Sequence, residues 1–202
     1  IPVIAIEREA EHISSVNTDN YMGALQATSL LIRDKCDILI HINVNVNKSA
    51  PAYDRIWAFQ ATCEEYHVPY DIDLSVKGAS YHELLDVIRE IFNKIESKYP
   101  DQKKGIFLAN DTYANMFLNL IFQKYGTFPS TYEIVGFDNS PIASEAILPI
   151  TTIGQQIDVI AKTAMDLLVQ QMEEQKKRVP KPLGEPIHKQ ITPILIRRNT
   201  TE

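Results

Sequence analysis

The stretch "IVGFDNS" (Ile134–Ser140) decides how the rest of the chain is interpreted. Four mostly apolar residues precede Asp138 and turn-forming residues follow it, and a short apolar run of this kind is typical of a strand covered on both faces. A one-residue error in placing Asp138 would leave its charge in the core. We therefore expect Asp138 to lie at the carboxyl end of a buried strand, and it is the first candidate for a functional residue.

Short apolar runs of the same kind recur along the chain and alternate with helical patterns. The predicted strands are Pro2–Ile6, Asp37–Ile42, Gly105–Ala109 and Glu133–Phe137. One predicted helix starts after a capping candidate at Thr18 or Asp19, and the others cover Arg55–Tyr66, Leu84–Ile95 and Ala114–Tyr125. Strands and helices in alternation predict an α/β fold, in which a parallel sheet carries helices on its faces.

The last third of the chain has a different pattern. The segment Leu148–Gln156 leads into a helix of about six turns at most, whose apolar stripe runs from Ile157 to Met172. A proline-rich link, Val179–Pro186, follows, and Ile191–Asn199 is then predicted as a terminal strand. Pro193 interrupts this strand and places it near an edge or a bulge.

The composition is that of an ordinary globular protein and limits its partners. Of the 202 residues, 45% are hydrophobic and 23% are charged, with a net charge of −6. A broad nucleic-acid surface needs clustered Lys and Arg, and the densest basic run, Lys176–Arg178, is better explained as a solvated helix end. Cys36 and Cys63 are expected to be buried and reduced. Because no apolar run has membrane-spanning length and no signal-like segment opens the chain, we expect a cytoplasmic protein without a membrane partner.

Polar residues follow three of the predicted strands. Glu7 follows the first strand, Asn110 and Asp111 follow the third, and Asp138 follows the fourth. Ligands of open α/β sheets bind outside the carboxyl ends of the strands, so these residues are candidates for a ligand site. The alternative, that a given residue caps a helix or forms a turn, stays open for each of them taken alone.

Other kinds of site find no support. The chain has none of the glycine-rich or nucleophile-elbow motifs of dinucleotide, phosphate or hydrolase sites. Its five histidines are scattered without metal-ligand spacing, and each is interpreted as a surface or structural residue. No spacing selects one pair of carboxylates for acid–base chemistry. We therefore expect no cofactor, no metal and no catalytic residue.

Several longer segments follow one another along the chain. They are "PVIAIE", "VNTDNYMGALQATSLLI" (Val16–Ile32), "RIWAF" (Arg55–Phe59), "FLANDTYAN" (Phe107–Asn115), "EIVGFDNS", "LPITTIGQQ" and "TPILIRRNTT" (Thr192–Thr201). In this order they resemble the effector-binding module of the lactose and galactose repressor family of bacterial transcriptional regulators. The resemblance spans essentially the whole chain, and its most specific parts are "IVGFDN", "PITTIGQ" and the "PILIRRNTT" ending.

The resemblance implies a two-lobed fold similar to that of periplasmic sugar-binding proteins, with three crossovers and a cleft between the lobes. On this basis residues 1–17 and 155–187 belong to the first lobe, and residues 18–150 and 188–202 to the second. The chain opens on an apolar strand pattern without Met. We interpret it as a fragment whose first lobe is incomplete and whose helix-turn-helix DNA-binding segment would lie upstream.

The resemblance also implies the residues that contact the effector. Arg55, at the start of "RIWAF", matches an effector-contacting arginine, and Asp138 matches an acidic residue that accepts hydrogen bonds from ligand hydroxyls or ring nitrogens. Asn110, Gln155 and Glu7 match further contacts, Glu7 standing where the family usually has aspartate. A carboxylate and a guanidinium together suit a pair of neighbouring hydroxyls.

Ala58 and Trp57 are close to Arg55 in the sequence, and an observation can be made about each. Ala58 replaces the usual glycine of the family motif. Trp57 lies two residues after Arg55, on roughly the opposite helix face, so we expect Trp57 to pack in the core.

The resemblance implies an effector-sensing domain that binds a small sugar or sugar phosphate and works as a homodimer. Operator DNA would be bound only through the upstream segment. A solute-binding protein of a sugar transport system is the alternative with the same fold. A third hypothesis is a sugar-processing enzyme that uses Asp138 or Asp111 as acid or base.

Overall fold

The computed structural model describes residues 1–8, 11–47, 50, 52–77, 80–176 and 184–202, which form two sheets flanked by helices. The strands are β1 (Ile4–Ile6), β2 (Ser14–Thr18), β3 (Ile38–Val44), β4 (Tyr70–Val76), β5 (Lys104–Leu108), β6 (Tyr132–Asp138), β7 (Thr151–Gly154), β8 (His188–Ile191) and β9 (Ile194–Ile196). The helices are α1 (Asn20–Arg33), α2 (Tyr53–Glu65), α3 (Tyr81–Lys98), α4 (Asp111–Tyr125), α5 (Pro141–Glu145) and α6 (Ile157–Gln175). Over these ranges no helix has the length and apolar character needed to cross a membrane.

Six strands form the larger sheet in the order β4-β3-β5-β6-β7-β9. Neighbouring strands are parallel except for β9, which runs antiparallel to β7. Helices α3 and α4 cover one face around Ile91 and Phe117, and helices α1 and α2 cover the other around Leu31 and Phe59. The predicted parallel α/β sheet is thus confirmed, and burial on both faces explains why β3, β5 and β6 are mostly apolar.

The smaller sheet is parallel and has the order β1-β2-β8. Val16 of β2 packs against Ile160, Ala164 and Leu167 of α6, so the helix covers one face of this sheet. Strands β1, β2 and β8 with α6 are termed the small lobe, and the other elements are termed the large lobe.

Strands β2, β4 and β7 were not predicted, and β8 overlaps the predicted terminal strand only at Ile191. The sequence of β2, "SSVNT", is mostly polar, yet all five residues are buried. Strand β4, "YDIDLSV", alternates polar and apolar residues and forms an edge of the larger sheet. The patterns of β2 and β4 lack the mostly apolar run by which β3, β5 and β6 were recognised.

In the described residues the chain passes between the lobes three times, from β2 to α1, from β7 to α6 and from β8 to β9. The crossovers are bonded to one another. The N–H of Asp19 donates to the carbonyl oxygen of Ile191 at 2.9 Å, and Gln156 Nε2 donates to that of Thr192 at 2.7 Å. Three connected crossovers are what the family resemblance implies, and the two-lobed fold is confirmed.

The terminal strand differs from the prediction. Instead of one strand over Ile191–Asn199, β8 ends at Ile191 in the small lobe and β9 begins at Ile194 in the large lobe. Pro193 lies between them, because a residue without an N–H cannot continue the ladder. The lobe boundary predicted at residue 188 is corrected accordingly, since the chain changes lobe after Ile191. Most of the proline-rich link Val179–Pro186 lies outside the described residues.

Candidate ligand-binding site

Asp138 is the last residue of β6, an interior strand of the larger sheet. Its φ of +100° and the φ of +54° at Asn139 are both in the region that residues with a side chain seldom adopt. Such outliers concentrate at functional sites, where the surrounding structure enforces them. Burial raises the pKa of Asp138, the charge of Arg55 opposes this effect, and the charge of Glu7 adds to it. The carboxylate therefore lies at the strand end, as predicted, and the charges of Arg55 and Glu7 both affect its pKa.

Arg55 is the third residue of α2 and its guanidinium is held on several sides. Nε donates to Asn20 Oδ1 at 2.6 Å, and Nη1 donates to the carbonyl oxygen of Ala109 at 2.6 Å. The guanidinium carbon lies 3.6 Å from the centre of the Phe137 ring, a cation–π contact. Burial lowers the pKa of Arg55 to about 10, against the charges of Asp138 and Glu7, so the group stays charged at neutral pH.

Gln155 follows β7 in the second crossover and contacts Asp138 directly. Its Nε2 donates to Asp138 Oδ1 at 2.9 Å. A cavity of about 400 Å³ opens beside these two residues, and its other walls come from residues 154–159 and from β9. This volume lies within the range of small-ligand sites. Arg55, Glu7 and Asn110 do not line this cavity.

Glu7 places a negative charge near Arg55 and Asp138, and one of its carboxylate oxygens accepts hydrogen bonds from Thr18. It follows β1 with a φ of +54°. Its Oε1 accepts hydrogen bonds from the N–H of Thr18 at 2.7 Å and from Thr18 Oγ1 at 2.8 Å. Glu7 thus joins the end of β1 to the first crossover, and its charge acts on both Arg55 and Asp138.

Asn110 and Asp111 have structural partners. Asn110 caps α4, because its Oδ1 accepts from the N–H of Tyr113 at 2.9 Å, so the capping alternative holds for this residue. Asp111 is fully buried. It accepts from the N–H of Ser140 at 2.7 Å and from Thr152 Oγ1 at 2.6 Å. Asp111 therefore fastens the turn after β6 to α4 and is not exposed to a substrate.

Trp57 does not pack in the core, and that prediction is wrong. Its side chain is 57% exposed and packs on Tyr21, with ring centres 5.1 Å apart. The buried face of α2 is formed instead by residues such as Ala58 and Phe59. Arg55 and Trp57 lie on different sides of α2, and Arg55 is held by Asn20, Ala109 and the Phe137 ring while Trp57 is exposed.

Three groups that hold Arg55 were not identified from the sequence. Asn20 followed a capping candidate, Phe137 belonged to an apolar run, and Ala109 takes part through its backbone carbonyl. The only signal for Asn20 in the sequence is its position directly after the capping candidate Asp19, at the start of a predicted helix. In the described part of the chain, no group of three or more His, Cys, Asp or Glu side chains is arranged to hold a metal ion.

Comparison with known proteins agrees with this architecture. Residues 30–201 match the family described as the periplasmic binding protein-like domain. The chain belongs to that family.

Two similar proteins of known role are operon repressors. The ribose operon repressor of Halalkalibacterium halodurans is 27% identical over 201 residues, which are 99% of this chain and 56% of that protein. The sucrose operon repressor of Streptococcus mutans is 27% identical over 178 residues, which are 86% of this chain and 52% of that protein. The chain therefore spans about half the length of these relatives.

Solved structures of regulators share the fold. A complex of the transcriptional regulator CelR with cellobiose has a TM-score of 0.79 at 21% identity, covering 99% of this chain and 59% of that chain. A LacI family regulator from Enterococcus faecalis with bound ribose has a TM-score of 0.75 at 22% identity, covering 100% and 68%. Together with the repressor relatives, they confirm the resemblance to the lactose and galactose repressor family.

Proposed function

We propose that this chain is the effector-sensing domain of a transcriptional regulator and binds a small sugar between its lobes. The observation that carries the proposal is the placement of Arg55 and Asp138 at the strand ends of the larger sheet, close enough for each charge to shift the other's pKa. The names of the relatives and the sugars in the related structures support it.

The two side chains suit a ligand with neighbouring hydroxyl groups. Ionised Asp138 accepts hydrogen bonds from two hydroxyls, and the Arg55 guanidinium donates to a further oxygen. Both contacts are stronger in a partly dry cleft than in water. Gln155, already bonded to Asp138, would keep the carboxylate oriented as the ligand enters.

The charges favour a neutral sugar over a sugar phosphate. Arg55 already donates from Nε and Nη1 to protein acceptors, so chiefly the Nη2 side of its guanidinium is left for a ligand. The negative charges of Asp138 and Glu7 both act on Arg55. Two carboxylates beside the guanidinium would repel an anionic ligand. We therefore narrow the expected ligand from a sugar or sugar phosphate to a neutral sugar.

The proposed signal is a change in lobe arrangement about the three crossovers. A sugar shifts this equilibrium only through a difference in affinity for the two arrangements. In a homodimer that carries DNA-binding segments, the shift would change the spacing of those segments and hence the affinity for operator DNA. A solute-binding protein of a transport system would use the same cleft, and the repressor names of the relatives favour the regulator.

Titration calorimetry with ribose, xylulose, sucrose, cellobiose and ribose 5-phosphate tests the proposal. We expect binding of at least one neutral sugar. Arg55→Ala and Asp138→Asn should each bind that sugar about 10-fold more weakly or worse, because a hydrogen bond to a charged group contributes about 1.5–3 kcal/mol. Arg89→Ala, on the exposed face of α3, is the matched control and should bind as the parent protein does.

Three outcomes would count against the proposal. Absence of binding heat with every neutral sugar would reject sugar sensing. Equal affinity in the parent protein and both site variants would reject the Arg55–Asp138 site. Sugar binding that leaves the operator affinity of the full-length protein unchanged would favour the transport alternative.

A further inference from the structure

Asn20 lies beside Arg55 and is only 2% exposed. Its Oδ1 accepts from Arg55 Nε at 2.6 Å, and its Nδ2 donates to the carbonyl oxygen of Thr18 at 3.1 Å. A half-turn of the amide would set NH₂ against the N–H of Arg55 and Oδ1 against a carbonyl oxygen, so both bonds would be lost. The two partners therefore hold the amide in one orientation.

The same contacts determine which part of Arg55 a ligand can reach. Nε is bonded to Asn20, Nη1 is bonded to the carbonyl oxygen of Ala109, and the Phe137 ring lies against one face of the guanidinium. Among the described residues, no hydrogen bond is made by Nη2. Because the guanidinium is planar, fixing Nε and Nη1 also fixes Nη2. We therefore expect the ligand to accept its hydrogen bond from Nη2 of Arg55.

Asn20 also connects Arg55 to the first crossover. Thr18, whose carbonyl oxygen accepts from Asn20, is the last residue of β2 in the small lobe. The N–H and Oγ1 of Thr18 in turn donate to Glu7. A continuous path of hydrogen bonds thus runs from Arg55 in the large lobe through Asn20 and Thr18 to Glu7 in the small lobe.

We infer that Asn20 is a positioning residue, which presents Nη2 of Arg55 to the ligand and ties Arg55 to the crossover between the lobes. The inference rests on the proposed function for its ligand, whereas the position of Arg55 is measurable without one. A purely structural Asn20 would affect stability, while a positioning Asn20 affects the Arg55 side chain itself.

Two variants separate the bonds of Asn20. Asn20→Asp keeps an oxygen acceptor for Arg55 Nε and removes the donor to Thr18. Asn20→Leu has a similar size and removes both. Asn93→Asp and Asn93→Leu, at an exposed position of α3, are the matched controls.

The first readout is the Nε–H signal of Arg55 in ¹⁵N-labelled protein, assigned by its loss in Arg55→Lys. We expect a signal protected from solvent exchange in the parent protein and in Asn20→Asp, and fast exchange in Asn20→Leu. Protection that persists in Asn20→Leu would overturn the inference, and so would rapid exchange in the parent protein. Thermal melts of each variant confirm that the comparison is made between folded proteins.

The second readout is affinity for the sugar found by calorimetry. Asn20→Leu should weaken binding about 10-fold or more, and Asn20→Asp should restore it to within about 3-fold of the parent. Equal loss in both variants would overturn the positioning role. If the parent protein shows a protected Nε–H but binds no sugar, the proposed function fails while the geometry assigned to Asn20 holds.

Discussion

Glu133, the second residue of β6, carries a buried carboxylate at the end of the sheet opposite Asp138. It is 2% exposed, and Lys103 Nζ lies 2.7 Å from its Oε1. Burial raises the pKa of Glu133 from 4.5 to about 7, although Lys103 lowers it, and Asp34 raises it further. The folded protein therefore binds a proton here that the unfolded chain releases between these two pH values.

We predict that this proton makes stability depend on pH. The contribution is fully present below pH 4.5 and is lost as pH rises through about 7, because the folded state binds more protons across this window. Its slope can approach about 1.4 kcal/mol per pH unit. The measurement is urea unfolding of the parent protein and of Glu133→Gln at a series of pH values, since the difference between the curves isolates this group.

Glu173→Gln, at an exposed position of α6, is the control and should follow the parent curve. If Glu133→Gln runs parallel to the parent protein from pH 4.5 to pH 7, Glu133 does not take up the proton.

Helix α1 approaches the larger sheet closely at Gly23, next to the residues that hold Arg55. A Cβ at this position would lie 2.8 Å from Phe137 Cε2 and 3.1 Å from Pro193 Cγ. Phe137 is fully buried and its ring lies against the Arg55 guanidinium. The packing of α1 on β6 and the position of the Phe137 ring at the proposed ligand site thus depend on one small residue.

Gly23→Ala should therefore affect both stability and binding. Overpacking of a core commonly costs about 1–3 kcal/mol, and we expect a loss of unfolding free energy in this range. A displaced Phe137 ring should also weaken sugar binding. Ser29→Ala on the same helix is the control, and urea unfolding with calorimetry is the measurement. Unchanged stability and affinity in Gly23→Ala would show that α1 can shift without disturbing Phe137.

The last residues of the chain hold together the strands that carry the site. Thr200 is fully buried, and its Oγ1 donates to the carbonyl oxygen of Ile134 at 2.7 Å and accepts from the N–H of Thr151 at 2.9 Å. The N–H of Ile134 donates to the carbonyl oxygen of Thr200 at 2.9 Å. Strands β6 and β7, which end at Asp138 and Gly154, are thereby joined by the terminal segment.

We predict that Thr200→Val destabilises the entire fold. Valine has a similar shape, but it leaves Ile134 without a donor and Thr151 without an acceptor, at a cost of about 1–3 kcal/mol for each buried group. Thr201→Val is the matched control, because Thr201 Oγ1 contacts Thr151 Oγ1 in a more exposed position, and its loss should be smaller. Denaturant unfolding measures both, and equal losses would contradict the role given to Thr200.

Strands β3, β5 and β6 could be predicted from their mostly apolar runs, and most helices from the regular spacing of their apolar residues. Strand β2 could not, since its polar residues are buried with partners that are distant in the sequence. Ser15 Oγ, for example, lies 2.8 Å from His188 Nδ1. The division of the terminal strand at Pro193 likewise depends on the presence of two separate sheets. The sequence around Pro193 does not by itself indicate that the residues on its two sides join different sheets.

For the site, the sequence by itself determined the residue types at the strand ends and, through the family resemblance, the pairing of Arg55 with Asp138. Only the tertiary structure decided that Asn110 caps a helix, that Trp57 is exposed, and that Asn20 holds Arg55 Nε. The physical reason is that periodicity reports which face of an element is buried. A hydrogen bond between two elements depends on how closely they pack, and that distance is set by the fold as a whole.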